Sequence, residues 1–218
     1  MNWSWSFAVE ILPDLLEHFL KYTLVATVLG TAVAAVLGLV FAMIRFVRIP
    51  VLAQATTAFI EFVRSTPLLI QLFFLFYALP GMGLTLSPMF VGVLGLGVHY
   101  ACYMADVYRS GIDAVPKGQW EASVALQLPP RTTWQRVVLP QAVRNVLPAL
   151  GNYAIAMFKE TPFLAFITVP ELLHTARDIG GDTFRYLEPF TMAGLVFLAA
   201  SYPTALLLRR LEGRLAAY

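Results

Sequence analysis

The sequence predicts an all-α integral membrane protein, a single domain over residues 1–218 with five transmembrane helices. Three observations carry that prediction. The chain is 59% hydrophobic and only 13% charged, whereas soluble domains run near about 25% charged. Its apolar residues fall in runs of membrane length, since a hydrocarbon core of about 30 Å takes roughly 20 residues per helix. Its arginines and lysines gather between those runs in groups whose placement sets a direction across the bilayer.

The first 21 residues carry Glu10, Asp14 and Glu17 and no basic cluster, which argues against a cleaved signal peptide. Residues 11–19 mix apolar side chains with Asp14, Glu17 and His18. That mixture predicts a short amphipathic helix on the outer surface, the main feature of an outer segment over 1–21. The clearest spans follow at 22–46, 90–107 and 189–208. Two further spans are interrupted. One runs over 57–79 and contains Glu61, Arg64 and Pro67; the other runs over 139–158 and contains Pro140, Arg144 and Pro148. Between the fourth and fifth spans a second outer segment covers 159–188, where Asp178-Ile179-Gly180-Gly181-Asp182 reads as a turn.

With alternating spans, Arg45 and Arg48, then Lys117, Arg131 and Arg136, then Arg209, Arg210 and Arg214 share one face. That face is the cytoplasm. On the other face Lys21, Lys159, Arg177 and Arg185 are diluted by Glu160, Glu171, Asp178, Asp182 and Glu188. The amino terminus is expected outside and the carboxy terminus inside.

The cytoplasmic face then carries one long polar loop, 114–138. Pro116 and Gly118 stop the third span, and 120–126 contains no helix breaker. Trp120, Val124 and Leu126 can share much of one helical face. Pro129-Pro130 forces a corner, and Thr132, Thr133 or a neighbour is placed to cap the turn leading into the fourth span. A helix, a corner and a second helix mounted on two spans suit a docking element; a solvated connector has the same outline.

Polar side chains at membrane depth mark a candidate solute path, because a buried charge is costly unless paired or wetted. Arg64 shares a helix face with Glu61, as Asp106 does with Arg109. Gln71, Lys159, Glu160 and Thr161 join Arg64 as candidates, each polar where hydropathy asks for an apolar residue. Lys159 and Glu160 could hold the two ends of a zwitterion or close on one another. His99 and Tyr100 suit either a pore or a packed bundle.

Several functions are excluded. The chain has no Gly-x-x-x-x-Gly-Lys-Ser/Thr phosphate loop, no His-Glu-x-x-His and no nucleophile elbow. One cysteine, Cys102, leaves no disulfide and no metal cluster. A net charge of +2 suggests no nucleic-acid partner.

The loop also carries a resemblance. Gln119-Trp120-Glu121-Ala122-Ser123 with Val138-Leu139-Pro140 resembles the cytoplasmic "EAA" loop of bacterial ABC importer permeases. Residues 62–74 (Phe-Val-Arg-Ser-Thr-Pro-Leu-Leu-Ile-Gln-Leu-Phe-Phe), Tyr108-Arg109-Ser110-Gly111-Ile112, Phe158-Lys159-Glu160-Thr161-Pro162 and Val169-Pro170-Glu171-Leu172-Leu173 are similar to the polar amino acid permeases. Within that family the pattern is nearest to the ectoine and hydroxyectoine uptake permeases, on Leu126-Gln127-Leu128-Pro129-Pro130-Arg131, Gly151-Asn152-Tyr153 and 183–189. The family loop usually has glycine where this chain has Gln127, and "TS" where it has Thr161-Pro162.

The resemblance implies a multi-pass subunit of the bacterial inner membrane that is not itself an enzyme. Its partners would be an ABC ATPase dimer that binds ATP and Mg, a second permease subunit (a related chain or a copy of itself), membrane lipid, and a periplasmic or lipid-anchored substrate-binding protein. Lys117, Gly118, Trp120, Glu121, Ala122, Ser123 and Leu126 would couple to the ATPase. The cargo would be a small polar or zwitterionic solute: ectoine, or else an amino acid of the glutamine, glutamate, arginine or histidine class. A self-contained channel or ion-coupled carrier is the competing reading, but such carriers show paired halves, and the second and fourth spans are not convincingly related.

Overall fold

The structure, a computed structural model, describes residues 3–47 and 49–216, and among these helices are the only regular secondary structure. Arg48 lies outside the described residues. The first element, α1, is one helix over Trp5–Val47. Ser4 caps it by accepting from the Phe7 N–H, and Phe19–Leu24 slackens into π-helical turns. The amphipathic segment is therefore not a separate surface helix. Its apolar residues Ile11, Leu15 and Phe19 pack with Leu172, Ala176, Ala193 and Val196. At 1.5 Å per residue the 43 residues of α1 extend about 65 Å, roughly twice the hydrocarbon core.

Beyond the π-turns, α1 buries Ala26, Gly30, Ala34, Gly38 and Ala42, a small residue at every fourth position. They meet α4, Pro88–Asp113, whose own buried small residues include Gly97, Ala101 and Ala105. Small residues let two helix backbones approach closely, which is how helices associate without a hydrophobic driving force. Val28, Leu29, Val36 and Leu39 are exposed on the opposite side of α1.

Between them the chain makes α2, Pro50–Arg64, and α3, Leu68–Met82, which meet at 104°. The expected single interrupted span over 57–79 is thus a sharp corner. Pro67 has no N–H to give and clashes with a helical carbonyl four residues back. The Gln71 amide supplies the missing donors, reaching Val63 O at 2.7 Å, Thr66 O at 3.1 Å and Thr66 Oγ1 at 2.8 Å.

The loop helix α5, Lys117–Ala125, precedes α6, Leu139–Glu160. A 3₁₀ stretch, Thr161–Ile167, follows, then α7, Leu172–Thr183, and α8, Leu187–Ala216. Among the described residues, three helices are long and apolar enough to cross a membrane, Trp5–Val47, Pro88–Asp113 and Leu187–Arg214, or four if the bent pair is one span. The expected span over 139–158 is a helix of 22 residues, but Gln141, Arg144, Asn145 and Asn152 keep it out of that apolar set.

No turn interrupts Asp178–Asp182, contrary to expectation; α7 runs through both glycines to Thr183 and ends on Phe184 at φ +54°. Gly180 answers to packing, since a Cβ there would stand 2.5 Å from Tyr186 Cδ1. The start of α7 is fastened by Glu171, fully buried, whose carboxylate accepts from Leu173 N at 2.9 Å and His174 N at 2.8 Å.

Candidate functional site

Two sites emerge, one on the loop and one at the α2–α3 corner. On the loop, Trp120 is half-buried and meets Trp134 edge-on at 5.4 Å, in a cluster with Ile112, Val115, Val138 and Ala142. Ser123 is buried and its hydroxyl donates to Gln119 O at 2.8 Å. These two predicted coupling residues thus hold the loop helix onto its own base. Lys117, Gly118, Glu121, Ala122 and Leu126 are exposed, and with Val124 (77% exposed) they form the face open to a partner. The expected common face of Trp120, Val124 and Leu126 is therefore divided between the two sides. Beside it lies a cleft of about 610 Å³ whose lining includes Trp120, Glu121, Val124, Leu128 and Trp134.

The helix closes with Gln127 N bonded to Val124 O at 2.9 Å and Leu128 N to Ser123 O at 3.0 Å. Those two bonds define a left-handed stop of the kind usually made by glycine. Gln127 adopts it at φ +51°, at a cost of about 1 kcal/mol. Pro129-Pro130 follows this corner, and Pro130 starts the next helical turn. No threonine caps that turn; the Pro129 carbonyl accepts from Thr132 N and Thr133 N at 2.9 and 3.1 Å.

At the corner, Arg64 ends α2 and reaches α4. Its Nη1 lies 2.6 Å from Asp106 Oδ2, while Glu61, its expected partner, stands at 4.0 Å. Asp106 also accepts from Arg45 Nη1 of α1 at 2.6 Å. Arg109, expected to pair with Asp106, instead faces Asp113 at 3.6 Å. The Arg64 guanidinium lies over the Tyr103 ring, 5.0 Å from its centroid. Tyr103 continues into an aromatic group, with His99 at 5.3 Å and Tyr153 at 5.7 Å.

Two cavities open here. One, of about 410 Å³, is lined by residues that include Arg64, Thr66, His99, Tyr103 and Glu160. The other, of about 420 Å³, includes Arg64, Tyr103, Asp106, Ser110, Asn145 and Tyr153 in its lining. Glu160 accepts from the Tyr100 hydroxyl at 2.8 Å. Gln71 stands behind this wall, its carbonyl 3.1 Å from His99 Nδ1, so it braces the corner rather than lining either cavity. Thr161 is fully buried and donates to Phe158 O at 2.7 Å. Lys159 is exposed and lines neither cavity, and among the described residues no ion pair joins it to Glu160. Of the five path candidates, the structure brings Arg64 and Glu160 together.

The chain matches, over residues 20–217, the family described as "Binding-protein-dependent transport system inner membrane component". The chain belongs to this family. It is a multi-pass inner-membrane permease subunit of an ABC importer, and ATP hydrolysis resides in a separate partner. The permease is 45% identical over 208 residues to a "Probable amino-acid ABC transporter permease protein" of Sinorhizobium fredii, covering 95% of this chain and 90% of the relative. It is 33% identical over 217 residues to the "Glutamine transport system permease protein" of Escherichia coli, covering 99% of each. A structure titled "Crystal structure of an amino acid ABC transporter with histidines" superposes with a TM-score of 0.92 at 30% identity, covering 98% of the permease and 100% of that chain.

Sequence reasoning missed Tyr103 and Tyr153 in the permease, and assigned Asp106 to the wrong arginine. Tyrosine in an apolar span carries no distinguishing signal, and the available clue was that Tyr103 lies one helical turn before Asp106 on the same face of α4.

Proposed function

We propose that the permease passes an amino-acid zwitterion between Arg64 and Glu160, driven by an ATPase dimer docked on the exposed face of α5. One observation carries the solute reading: a guanidinium and a carboxylate line a single cavity of about 410 Å³. The pair complements the carboxylate and ammonium of an amino acid, and aromatic walls suit a cation passing Tyr103. The sizes fit, since small-molecule sites run about 300–1,000 Å³. Five spans, with the amino terminus outside and the carboxy terminus cytoplasmic, bring the loop to the ATPase and α7 to a substrate-binding protein, periplasmic or lipid-anchored. A second permease subunit, a copy or a related chain, completes the complex, and ATP and Mg sit on the ATPase.

The relatives with named solutes point to amino acids, and that class leads here. Ectoine is the second reading, favoured by the loop pattern around Pro129-Pro130; its carboxylate and delocalised cation meet the same two groups. Uptake of labelled glutamine, arginine, histidine and ectoine by the reconstituted complex separates the two. Glu160→Gln should lower the uptake rate about tenfold, the loss of one charge-assisted contact, with the binding protein's own affinity unchanged. Uptake at the parental rate in an assembled Glu160→Gln complex would remove Glu160 from the path.

A further inference from the structure

We infer that Asp106 is the latch of an internal gate formed by Arg64 and Tyr103. The inference rests on the solute path just proposed and adds to it a barrier and the residue that holds it shut. Arg64 and Tyr103 line both cavities, and those cavities lie in series along α4. One draws on His99 and the other on Val107, Ser110, Gly111 and Ala114, about 20 Å of helix at 1.5 Å per residue. The side-chain layer between them is the guanidinium stacked on the Tyr103 ring.

Asp106 keeps that layer in place. Its Oδ2 holds Arg64 and its Oδ1 holds Arg45, each at 2.6 Å, so one carboxylate ties the α2 terminus to both α1 and α4. Two guanidiniums share that one carboxylate, and Glu61 stands 4.0 Å from Arg64 as a second acidic neighbour. A solute carboxylate can therefore take Arg64 from Asp106 without stranding either group, because Asp106 retains Arg45. An exchange in which no charge loses its last partner avoids leaving a charge unpaired at membrane depth. Asp106 thus acts as a stand-in for the solute's carboxylate, keeping Arg64 occupied and the gate closed until solute arrives. It is a positioning residue.

The test uses the complete complex, with ATPase and binding protein, in membrane vesicles without ATP. Ala149→Cys, lining the cavity nearer the loop, is introduced on a Cys102→Ala background. A membrane-impermeant maleimide is applied from the side opposite the loop. With Asp106 present, labelling should be slow; Asp106→Asn should raise its rate about tenfold, the loss of one charged partner, and Asp106→Glu should restore the slow rate. Arg64→Gln should raise labelling to the same level, and the double variant no further, since both act through one contact. Labelling of an assembled Asp106→Asn complex at the parental rate, or additive effects of the two substitutions, would overturn the latch. The solute path fails separately: parental uptake by Glu160→Gln removes that reading, while the labelling of position 149 reports only on the barrier.

Discussion

Replacing Gly38 with alanine tests the helix contact on which the bundle is built. An added Cβ would stand 2.9 Å from Met104 Cβ, 3.0 Å from Ala101 O and 3.3 Å from Ala105 N. All three atoms belong to the α4 backbone or its first side-chain carbon, so no rotamer change relieves the crowding and the two helices must separate. Overpacking of this kind costs about 1–3 kcal/mol. Gly30 provides the control, because its Cβ would meet chiefly Met157 Sδ at 2.9 Å. A methionine thioether swings aside easily, and the cost should stay below about 1 kcal/mol. Gly194 is the opposite case: nothing lies within 4 Å of its Cβ, and alanine should gain helix propensity of up to about 1 kcal/mol. Thermal unfolding of the purified complex, followed by gel filtration after heating, reads all three. For a chain of this size 1 kcal/mol moves Tm by about 2–4 °C, so Gly38→Ala should fall by roughly 2–12 °C and Gly30→Ala by much less. Gly38→Ala within about 1 °C of the parent, or Gly30→Ala falling equally far, would refute the close backbone contact.

Two further outcomes are expected. Gln127→Gly should stabilise the loop by up to about 1 kcal/mol, since glycine meets no steric penalty at φ +51°, whereas Gln127→Val should lower Tm; equal Tm values for the two would show that the corner is unstrained. Burial pushes the Glu171 carboxyl up to about 7, against the pull of the Leu173 and His174 N–H groups on its charged form. The folded state therefore holds the proton more tightly than the unfolded chain, and stability should decline as pH rises from about 4.5 to 7, by at most about 3 kcal/mol. Tm measured across that range should lose this slope in Glu171→Gln, and an unchanged slope would place the titrating group elsewhere.

What could be read from the sequence alone was local or compositional. The apolar runs located the main helices, Pro67 marked the break between α2 and α3, and the coupling segment announced its helix and the corner at Pro129-Pro130. Each depends on a few adjacent residues: a missing N–H, a φ preference, a run long enough for a bilayer. The motifs between Glu61 and Leu173 carried the family for the same reason, being short and contiguous.

Tertiary structure decided the rest. Spacing alone put Glu61 beside Arg64 and Arg109 beside Asp106, yet Arg64 takes Asp106, 42 residues away, because the 104° corner carries the end of α2 to α4. Trp120 looked like a partner-facing residue until Trp134, brought back by the Pro129-Pro130 corner, covered it. The Gly180-Gly181 pair read as a turn until Tyr186 occupied the space a side chain would need. A helical repeat specifies which residues share a face, but what that face meets depends on the angle between elements. In this bundle those angles come from the small-residue seam between α1 and α4 and from the break at Pro67.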